Sequence, residues 1–359
     1  MGITVLLPGL LATQAGGKDR FELDAPTVGA ALRALPISDL IFDEAGELRG
    51  LVNVYVDGKD MRTRDGLDTS LEGEEEIRVV AAIAGGASVQ LGDGVSLYVE
   101  ELGEGLPVIV LHGGPGVDHS MFRPYLDPLA EDFRLIYVDE RGQGRSERVD
   151  PETLSLEVFA RDVDLLAEAL ELDRFALLGH SFGAIIATFQ AIELGTADAY
   201  VVSGGGDASD PMMADVEASL RALGDQGTEI AASWEQEQTV QSEEELAELM
   251  RVQMPFHFAG EVPSGYGDDI VFSPDVLRHF AQAGYGNFDY RPDLRRIDRP
   301  TLVIVGEHDR TTTPRAARVL HEGIPGSELV MIGAAGHMCL VEKPDEYLAA
   351  VRAFLSRAA

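Results

Sequence analysis

Apolar residues beyond residue 87 form short continuous runs that alternate with longer amphipathic stretches. Short continuous runs are typical of parallel strands buried on both faces, and apolar positions three and four residues apart predict helices. The predicted strands are 89–91, 95–101, 107–111, 135–138, 175–178, 200–203, 301–305 and 329–332, and the predicted helices are 156–170, 184–194, 314–321 and 344–355. Strands that alternate with helices predict a mostly parallel sheet with right-handed crossovers.

The regular alternation stops between residues 207 and 290, where acidic residues and helix formers dominate before glycine and proline become frequent. Two helices, 213–223 and 243–254, are predicted in the first part of this stretch. We therefore expect a helical insertion that caps the sheet. Its aromatic side chains are candidates for a substrate pocket, although buried aromatic residues more often form hydrophobic core. They are Trp234, Phe256 and Tyr266, followed by Phe258, Phe272 and Tyr285.

The first 86 residues carry a different pattern, with predicted strands at 3–7, 20–23, 52–56 and 77–83 and a predicted helix at 27–35. This order favours a small α+β domain in which a β-grasp sheet packs on one helix. Three parts are therefore expected. They are the β-grasp domain at 1–86, an α/β core at 87–206 and 291–359, and the cap insertion at 207–290.

The charge of the chain narrows the set of partners. The 359 residues contain 62 Asp and Glu against 28 Lys and Arg, so the net charge is −34. A surface of this kind repels nucleic acid and anionic membranes, because both are bound through cationic contacts. The expected ligand is therefore a small molecule or a short peptide. The acidic surface fits either adaptation to high salt or an ordinary solvated surface.

The single cysteine, Cys339, excludes an intramolecular disulfide, and its apolar neighbours favour a role in packing. The apolar residues 3–12 are interrupted by Pro8 and follow no Lys or Arg, which favours a first strand over a signal peptide. No apolar run approaches the roughly 18 residues of a membrane span. We therefore expect a cytoplasmic protein.

The most informative motif is Gly-His-Ser-Phe-Gly at residues 179–183, directly after the predicted strand 175–178. A Gly-x-Ser-x-Gly turn between a strand and a helix is typical of a nucleophile elbow. We expect Ser181 to adopt a strained backbone conformation. Positions 179 and 183 require glycine because a side chain there would collide with neighbouring backbone. The motif therefore predicts that Ser181 is a nucleophile.

A second motif, His-Gly-Gly-Pro-Gly at residues 112–116, follows the predicted strand 107–111. A serine that attacks a carbonyl needs two N–H donors for the negative oxygen of the tetrahedral intermediate. One donor is expected from Phe182, the residue after the nucleophile, and the other from this glycine-rich loop. Gly114 is the preferred loop donor, and Gly113 is the weaker candidate.

An orienting acid and a general base are expected after the serine, in that order. Asp309 follows the predicted strand 301–305, and Glu307 is a weaker candidate at the same place. His337 lies in a glycine-rich loop after the predicted strand 329–332. We therefore predict that His337 is the general base and that Asp309 orients it, in a reaction that needs neither a metal nor a cofactor.

Residues 112–116, 139–146 and 179–183, together with Asp309 and His337, resemble the motifs of the α/β-hydrolase superfamily. The resemblance covers residues 88–358. The His-Gly-Gly-Pro-Gly form is most similar to the proline iminopeptidase branch, which removes N-terminal residues, often proline, from peptides. The resemblance implies an α/β-hydrolase fold with a helical cap and a Ser-His-Asp triad that cleaves a small amide through an acyl-enzyme.

Two substrate classes stay open. Members of that branch hold the ammonium of the substrate with acidic residues, and the matching places here hold Asn287 and Arg310. Arg310 would repel an ammonium, although Glu261, Asp268 or Asp269 could replace the missing acids. The alternatives are therefore an aminopeptidase-like amide hydrolase and a carboxylesterase or lactonase.

The N-terminal domain resembles the ubiquitin-like sulfur carriers, which include the small subunit of molybdopterin synthase and the thiamine-pathway sulfur carrier. The resemblance rests on residues 52–62, 66–69 and 74–83 and on the closing Gly85-Gly86. It implies a partner that activates the Gly-Gly terminus or transfers sulfur to it. Because Gly86 is internal here, three interpretations stay open. The pair is a flexible linker, a cleavage site that releases a sulfur carrier or protein tag, or part of a docking module for a sulfur-transfer partner.

Overall fold

The alternating apolar positions of the N-terminal region form a five-stranded sheet in the computed structural model, which describes residues 2–7, 11, 15–42, 46, 48, 52–73, 75–81, 86–206, 210–286 and 289–358. Strands β1–β5 span Ile3–Leu6, Arg20–Leu23, Val52–Val56, Lys59–Asp60 and Glu76–Ala81, and helices α1 and α2 span Val28–Arg33 and Ser38–Ile41. The strand order is β2-β1-β5-β3-β4, with β1 parallel to β5. The predicted β-grasp domain is confirmed.

Helix α1 supplies the apolar face that covers this sheet. Its start is fixed by Thr27, whose Oγ1 accepts the Ala30 N–H at 3.2 Å. Leu32 of the helix and Ile77 of the sheet are buried in one hydrophobic cluster. Of the closing glycine pair, Gly85 and the end of the predicted strand at 82–83 lie outside the described residues.

The remaining strands form a second, larger sheet. Strands β6–β13 span Ala87–Gln90, Ser96–Leu102, Leu106–Leu111, Phe133–Asp139, Ala176–His180, Ala199–Ser203, Thr301–Gly306 and Glu328–Ile332. They lie in the order β13-β12-β11-β10-β8-β9-β7-β6. Strands β8, β10, β11, β12 and β13 are parallel to their neighbours in this series, and β6 and β7 form an antiparallel hairpin. The prediction of a mostly parallel sheet is confirmed.

Helices flank this sheet and build the cap. Helices α3–α11 span Leu156–Ala169, Phe182–Glu193, Asp210–Ala222, Asp225–Gln236, Glu243–His257, Pro274–Gln282, Pro314–Gly323, Cys339–Glu342 and Pro344–Ala358. Helices α5–α8 form the cap, and the sequence predicted α5 and α7 but missed α6 and α8. Helix α4 begins at Phe182, two residues before the predicted start. No helix in the described ranges is long and apolar enough to cross a membrane.

The direction of the parallel strands fixes the edge of the sheet at which the candidate site residues lie. The carboxyl ends of neighbouring parallel strands meet at one edge of a sheet, and the loops that follow them lie together. Strand β8 therefore brings residues 112–116 to the same edge as the turn after β10 and the loop after β12. The two glycine-rich motifs and Asp309 come from these loops.

Candidate active site

The turn between β10 and α4 holds Ser181 in a strained conformation. Its backbone has φ 55° and ψ −115°, a combination that residues other than glycine seldom adopt. A Cβ on Gly179 would lie 2.1 Å from the carbonyl oxygen of Gly183. A Cβ on Gly183 would lie 2.4 Å from the carbonyl oxygen of Leu111. The two glycines are therefore required by close backbone approach, as the sequence predicts.

The glycine-rich loop after β8 lies against the serine. A Cβ on Gly113 would be 3.2 Å from Cβ of Ser181. The Gly113 N–H already donates to the Met121 sulfur at 3.2 Å. The N–H groups of Gly114 and Phe182 have no hydrogen-bond partner among the described residues, so they are the two donors left for an oxyanion. This arrangement favours Gly114 over Gly113.

His112 holds that loop in shape. Its buried Nδ1 donates to the carbonyl oxygen of Gly113 at 2.7 Å, and its Nε2 accepts the Glu140 N–H at 3.2 Å. Burial lowers the pKa of His112, while the nearby Asp139 opposes the fall. A neutral ring with both nitrogens in use is a structural group that fixes the loop next to the serine.

Asp309 and His337 come together at the ends of β12 and β13. The His337 Nδ1 lies 2.8 Å from Oδ2 of Asp309. Oδ1 of Asp309 accepts the N–H groups of Thr311 and Thr312 at 2.8 and 2.9 Å. Burial raises the pKa of Asp309, but His337 and these N–H donors outweigh burial and hold the pKa below its ordinary value. The carboxylate is therefore ionised and fixes the imidazole with Nδ1 as donor.

The weaker acid candidate is placed differently. Glu307 is exposed, and its Oε2 accepts the Ala334 N–H at 3.3 Å. The structure therefore pairs Asp309, rather than Glu307, with the histidine.

The serine turn and His337 occupy the same small region. The ring of His180, the residue before the serine, lies 4.8 Å from the ring of His337. The Ser181 N–H donates to the carbonyl oxygen of Ser203 at 2.9 Å, and a Cβ on the next residue, Gly204, would lie 3.0 Å from Cε1 of His337. The fold thus brings together all three residues of the predicted triad.

One residue of this region was missed by sequence reasoning. His257, the last residue of α7, has its ring 5.4 Å from the ring of His337, and its Nδ1 lies 3.0 Å from the Thr311 hydroxyl. Its neighbours in sequence carry no motif, and it precedes Thr311 by 54 residues. Only the packing of the cap on the triad loops makes the contact visible.

The predicted pocket aromatics divide into two groups. The Tyr266 hydroxyl donates to the carbonyl oxygen of Met121 at 3.3 Å and lies 4.0 Å from the sulfur of Met338, the neighbour of His337. Tyr266 therefore lies beside the predicted triad and stays a predicted substrate contact.

The sequence also suggested Trp234 and Phe256 as pocket residues, but the structure places them in the packing of the cap. Their rings pack edge to face at 5.3 Å, and Phe256 is 1% exposed in a cluster with Val216 and Ile230. Amphipathic helices turn their apolar faces toward one another, and α5, α6 and α7 do so here. Phe256 is part of the core of the cap, and the half-buried Trp234 packs against that core.

The segment between β8 and β9 and the end of β9 together carry a group of two buried carboxylates and a histidine. Asp118, His119 and Asp139 place their ligand atoms within 4.8 Å of one another, which is the spacing of a metal site. Each carboxylate already has a cationic or N–H partner. Arg145 binds Asp118 at 2.5 Å, and the His119 Nδ1 lies 2.6 Å from Asp139. The donor set is thus used within the protein, and its role is to anchor this segment.

The chain matches two known protein families. Residues 108–350 match the alpha/beta hydrolase family, and residues 5–86 match the ThiS family. A proline iminopeptidase of Heyndrickxia coagulans is 30% identical over 272 residues, which cover 72% of this chain and 93% of that protein. A pimeloyl-[acyl-carrier protein] methyl ester esterase of Legionella pneumophila is 24% identical over 270 residues, which cover 73% of this chain and 100% of the esterase.

The fold has a counterpart among solved structures. Proline iminopeptidase of Mycobacterium smegmatis superposes with a TM-score of 0.61 at 22% identity, over 76% of this chain and 98% of that chain. At this identity the likeness concerns the fold alone.

Proposed function

Because this chain belongs to the alpha/beta hydrolase family and carries an N-terminal ThiS-family domain, we propose that it is a serine hydrolase of small amides or esters. Ser181 attacks the carbonyl carbon, and His337 accepts the proton of the hydroxyl and returns it to the leaving group. Asp309 keeps the imidazole oriented and stabilises its charged form. Water then hydrolyses the acyl-enzyme by the same route.

The oxyanion of the tetrahedral intermediate accepts hydrogen bonds from the N–H groups of Gly114 and Phe182. Both groups lack a protein partner among the described residues, so no hydrogen bond has to be broken when the oxyanion forms. Phe182 is also the first residue of α4, where the helix dipole favours negative charge. Loss of one such donor typically lowers kcat by about a hundredfold to a thousandfold.

The observation that carries this proposal is the 2.8 Å pair of His337 and Asp309 beside the strained Ser181 turn. The decisive experiment is mass spectrometry after reaction with a fluorophosphonate, which labels activated serines, combined with assays on 4-nitrophenyl acetate and L-proline 4-nitroanilide. Ser181→Ala should abolish both the adduct and hydrolysis. Ser88→Ala, at an exposed serine of β6, is the matched control. Full hydrolysis by Ser181→Ala would overturn the proposal.

Two substrate classes follow from the relatives. The resemblance to a proline iminopeptidase supports aminoacyl amides, and the resemblance to a methyl ester esterase supports esters. Turnover of the acetate ester with none of the prolyl anilide would exclude the aminopeptidase. The reverse result would exclude a carboxylesterase or lactonase.

A second role is proposed for the N-terminal domain, because it matches the ThiS family up to Gly86. Cleavage after Gly86 would free the carboxylate that a sulfur-transfer or activating enzyme needs. Mass spectrometry of the protein isolated from its native cell tests this role, since a fragment that ends at Gly86 supports it. Finding only the full-length chain would reduce the glycine pair to a linker or part of a docking module.

A further inference from the structure

The end of cap helix α7 brings an unassigned histidine next to the triad. The ring of His257 lies 5.4 Å from that of His337. Its Nδ1 shares a 3.0 Å hydrogen bond with the Thr311 hydroxyl, and its carbonyl oxygen accepts the Met338 N–H at 3.1 Å. Because Thr311 also donates its N–H to Asp309, the cap histidine is held by the loop that holds the triad acid.

The side chain of His257 is an uncharged hydrogen-bonding group. Burial lowers its pKa to about 3, and His337 adds to the fall while Asp309 opposes it. Its Nδ1 is occupied by Thr311, and its Nε2 has no hydrogen-bond partner in the part of the chain that the structure describes. A neutral imidazole with one free nitrogen donates or accepts one hydrogen bond, according to its tautomer.

Two aromatic side chains near this position, Tyr266 and Phe258, are also uncharged. Tyr266 binds the Met121 carbonyl oxygen, its Oη lies 4.0 Å from the sulfur of Met338, and its ring packs 5.4 Å from that of Phe258. Burial raises the pKa of Tyr266, so its hydroxyl stays protonated. Tyr266 and Phe258 therefore add a phenol and an apolar ring to this region, and neither carries a charge.

The balance of charge beside the triad disfavours a cationic substrate. Among the described residues that hydrogen-bond to or stack on the rings of His257 and His337, Asp309 is the one carboxylate, and it is engaged by His337. The next residue, Arg310, is partly buried and forms no ion pair with any described residue. An ammonium desolvated against these rings would meet no carboxylate other than the engaged Asp309, and burying an unpaired charge is costly. Glu261, Asp268 and Asp269, the acids that could replace the missing ones, are exposed.

We propose that His257 selects substrates whose acyl group is uncharged and carries a hydrogen-bonding atom, and that it excludes acyl groups with a free ammonium. This specificity rests on the proposed serine hydrolase. His257 acts on the acyl group held over Ser181 and takes no part in proton transfer.

Three acyl groups of equal ring size test the proposal. L-Prolyl carries an ammonium, oxolane-2-carbonyl replaces the ring nitrogen by a neutral oxygen, and cyclopentanecarbonyl has no heteroatom. Each is assayed on the full chain as its phenyl ester and as its 4-nitroanilide. We expect kcat/KM for the oxolane compound to exceed that for the prolyl compound by at least about tenfold, a difference of about 1.4 kcal/mol. Equal or faster turnover of the prolyl compound would overturn the proposal.

Variants assign the preference to the histidine. His257→Ala should reduce the advantage of oxolane over cyclopentane, while His257→Gln, which keeps a neutral hydrogen-bonding group, should retain most of it. His257→Asp should raise kcat/KM for the prolyl compound, because a carboxylate would pair with the ammonium. His279→Ala, at a partly buried histidine of cap helix α8, is the control and should leave the ratios unchanged. Unchanged ratios in His257→Ala would show that another residue sets the specificity.

A binding measurement tests the same preference if turnover is too slow to assay. Pyrrolidine-2-boronic acid and cyclopentylboronic acid, which form adducts with active-site serines, compete with the fluorophosphonate for Ser181. Tighter binding of the uncharged boronic acid supports the proposal, and tighter binding of the charged one contradicts it. Failure of the proposed function is recognised separately, since hydrolysis and labelling would then persist in Ser181→Ala.

Discussion

Gly179 and Gly183 approach so closely across the Ser181 turn that a Cβ on Gly179 would stand 2.1 Å from the carbonyl oxygen of Gly183. Real side chains do not tolerate such a distance, so any substitution must move the backbone. The strained φ of Ser181 depends on this contact, because it lets strand β10 and helix α4 converge at one residue. The elbow is thus a property of three positions rather than of the serine alone.

Gly183→Ala tests this relationship. Its Cβ would lie 2.4 and 2.5 Å from the carbonyl oxygens of Leu111 and His112, so the glycine-rich loop at 112–116, which carries the proposed oxyanion donor Gly114, has to shift. We expect kcat to fall by about a hundredfold or more, since displacement by about 1 Å is sufficient for such a loss. Steady-state kinetics and thermal unfolding measure the effect.

The matched control for that variant is Gly92→Ala. Its Cβ would meet only the Leu165 side chain at an ordinary 3.7 Å. Activity and stability close to those of the parent protein are expected there. Wild-type kinetics in Gly183→Ala would show that the loop accommodates the methyl group without moving the oxyanion donors.

Asp309→Asn tests the acid of the proposed triad. The carboxylate accepts one hydrogen bond from His337 and two from backbone N–H groups, and an amide removes the charge that stabilises the imidazolium. We expect kcat near neutral pH to fall by about 10³–10⁴-fold. Glu307→Gln, two residues away, should change kcat little, and the opposite ranking of the two variants would reassign the acid.

The sequence predicted the triad region because its signals are local or ordered along the chain. The elbow at 179–183 is a short motif with a fixed geometry, and Asp309 and His337 follow buried strands in the order that a hydrolase sheet requires. These strands also sufficed to predict the parallel sheet, since their apolar runs are continuous.

The cap was harder to predict, for a physical reason. Helix α6 contains Gly227, which lowers its helix propensity, and the short helix α8 directly follows a segment rich in glycine and proline that is typical of a loop. The faces on which the helices meet depend on tertiary packing, which places Phe256 in the core of the cap and its neighbour His257 beside the triad. Adjacent residues with opposite roles carry no periodic signal that separates them.

Glu140 is expected to make the stability of the folded protein depend on pH. Burial raises the pKa of this carboxyl well above its ordinary value, Asp139 and Asp162 add to the rise, and the hydrogen bond from Gln143 opposes it. Its Oε1 is buried without a partner among the described residues. Between the unfolded and folded pKa values the folded chain therefore holds a proton that the unfolded chain has released. This contribution to stability is fully present below the unfolded pKa and is lost as pH rises through the folded pKa.

Glu140→Gln should remove that dependence. We expect the free energy of unfolding of the variant, relative to the parent protein, to increase as pH rises from about 5 to about 9, by at most about 1.4 kcal/mol per pH unit. Urea unfolding at several pH values measures the difference. Glu168→Gln, at an exposed position of α3, should give a difference in the free energy of unfolding that does not change with pH. A flat profile for Glu140→Gln would mean that the carboxyl is ionised in the folded protein.

Glu342 joins the cap to the loop that carries His337. Its Oε1 accepts the N–H groups of Ala259 and Gly260, each at 2.9 Å, just beyond the end of α7. Its Oε2 accepts the N–H of Gly336 at 2.6 Å, one residue before His337. Three backbone donors on one carboxylate fix the spacing between the cap and the imidazole.

Glu342→Ala should therefore lower kcat/KM by about tenfold to a hundredfold, because the histidine loop and the cap lose their common anchor. Glu342→Gln keeps one acceptor oxygen but turns an N–H group toward another donor, so an intermediate loss is expected. Glu346→Ala removes the same charge from an exposed position of α11 and should leave kcat/KM unchanged. The rate of fluorophosphonate labelling shows whether Glu342 positions His337 or only stabilises the fold. If the Glu342→Ala protein is fully folded and is labelled more slowly than the parent protein, Glu342 positions His337. An unchanged labelling rate together with a lower unfolding temperature would reduce its role to stability.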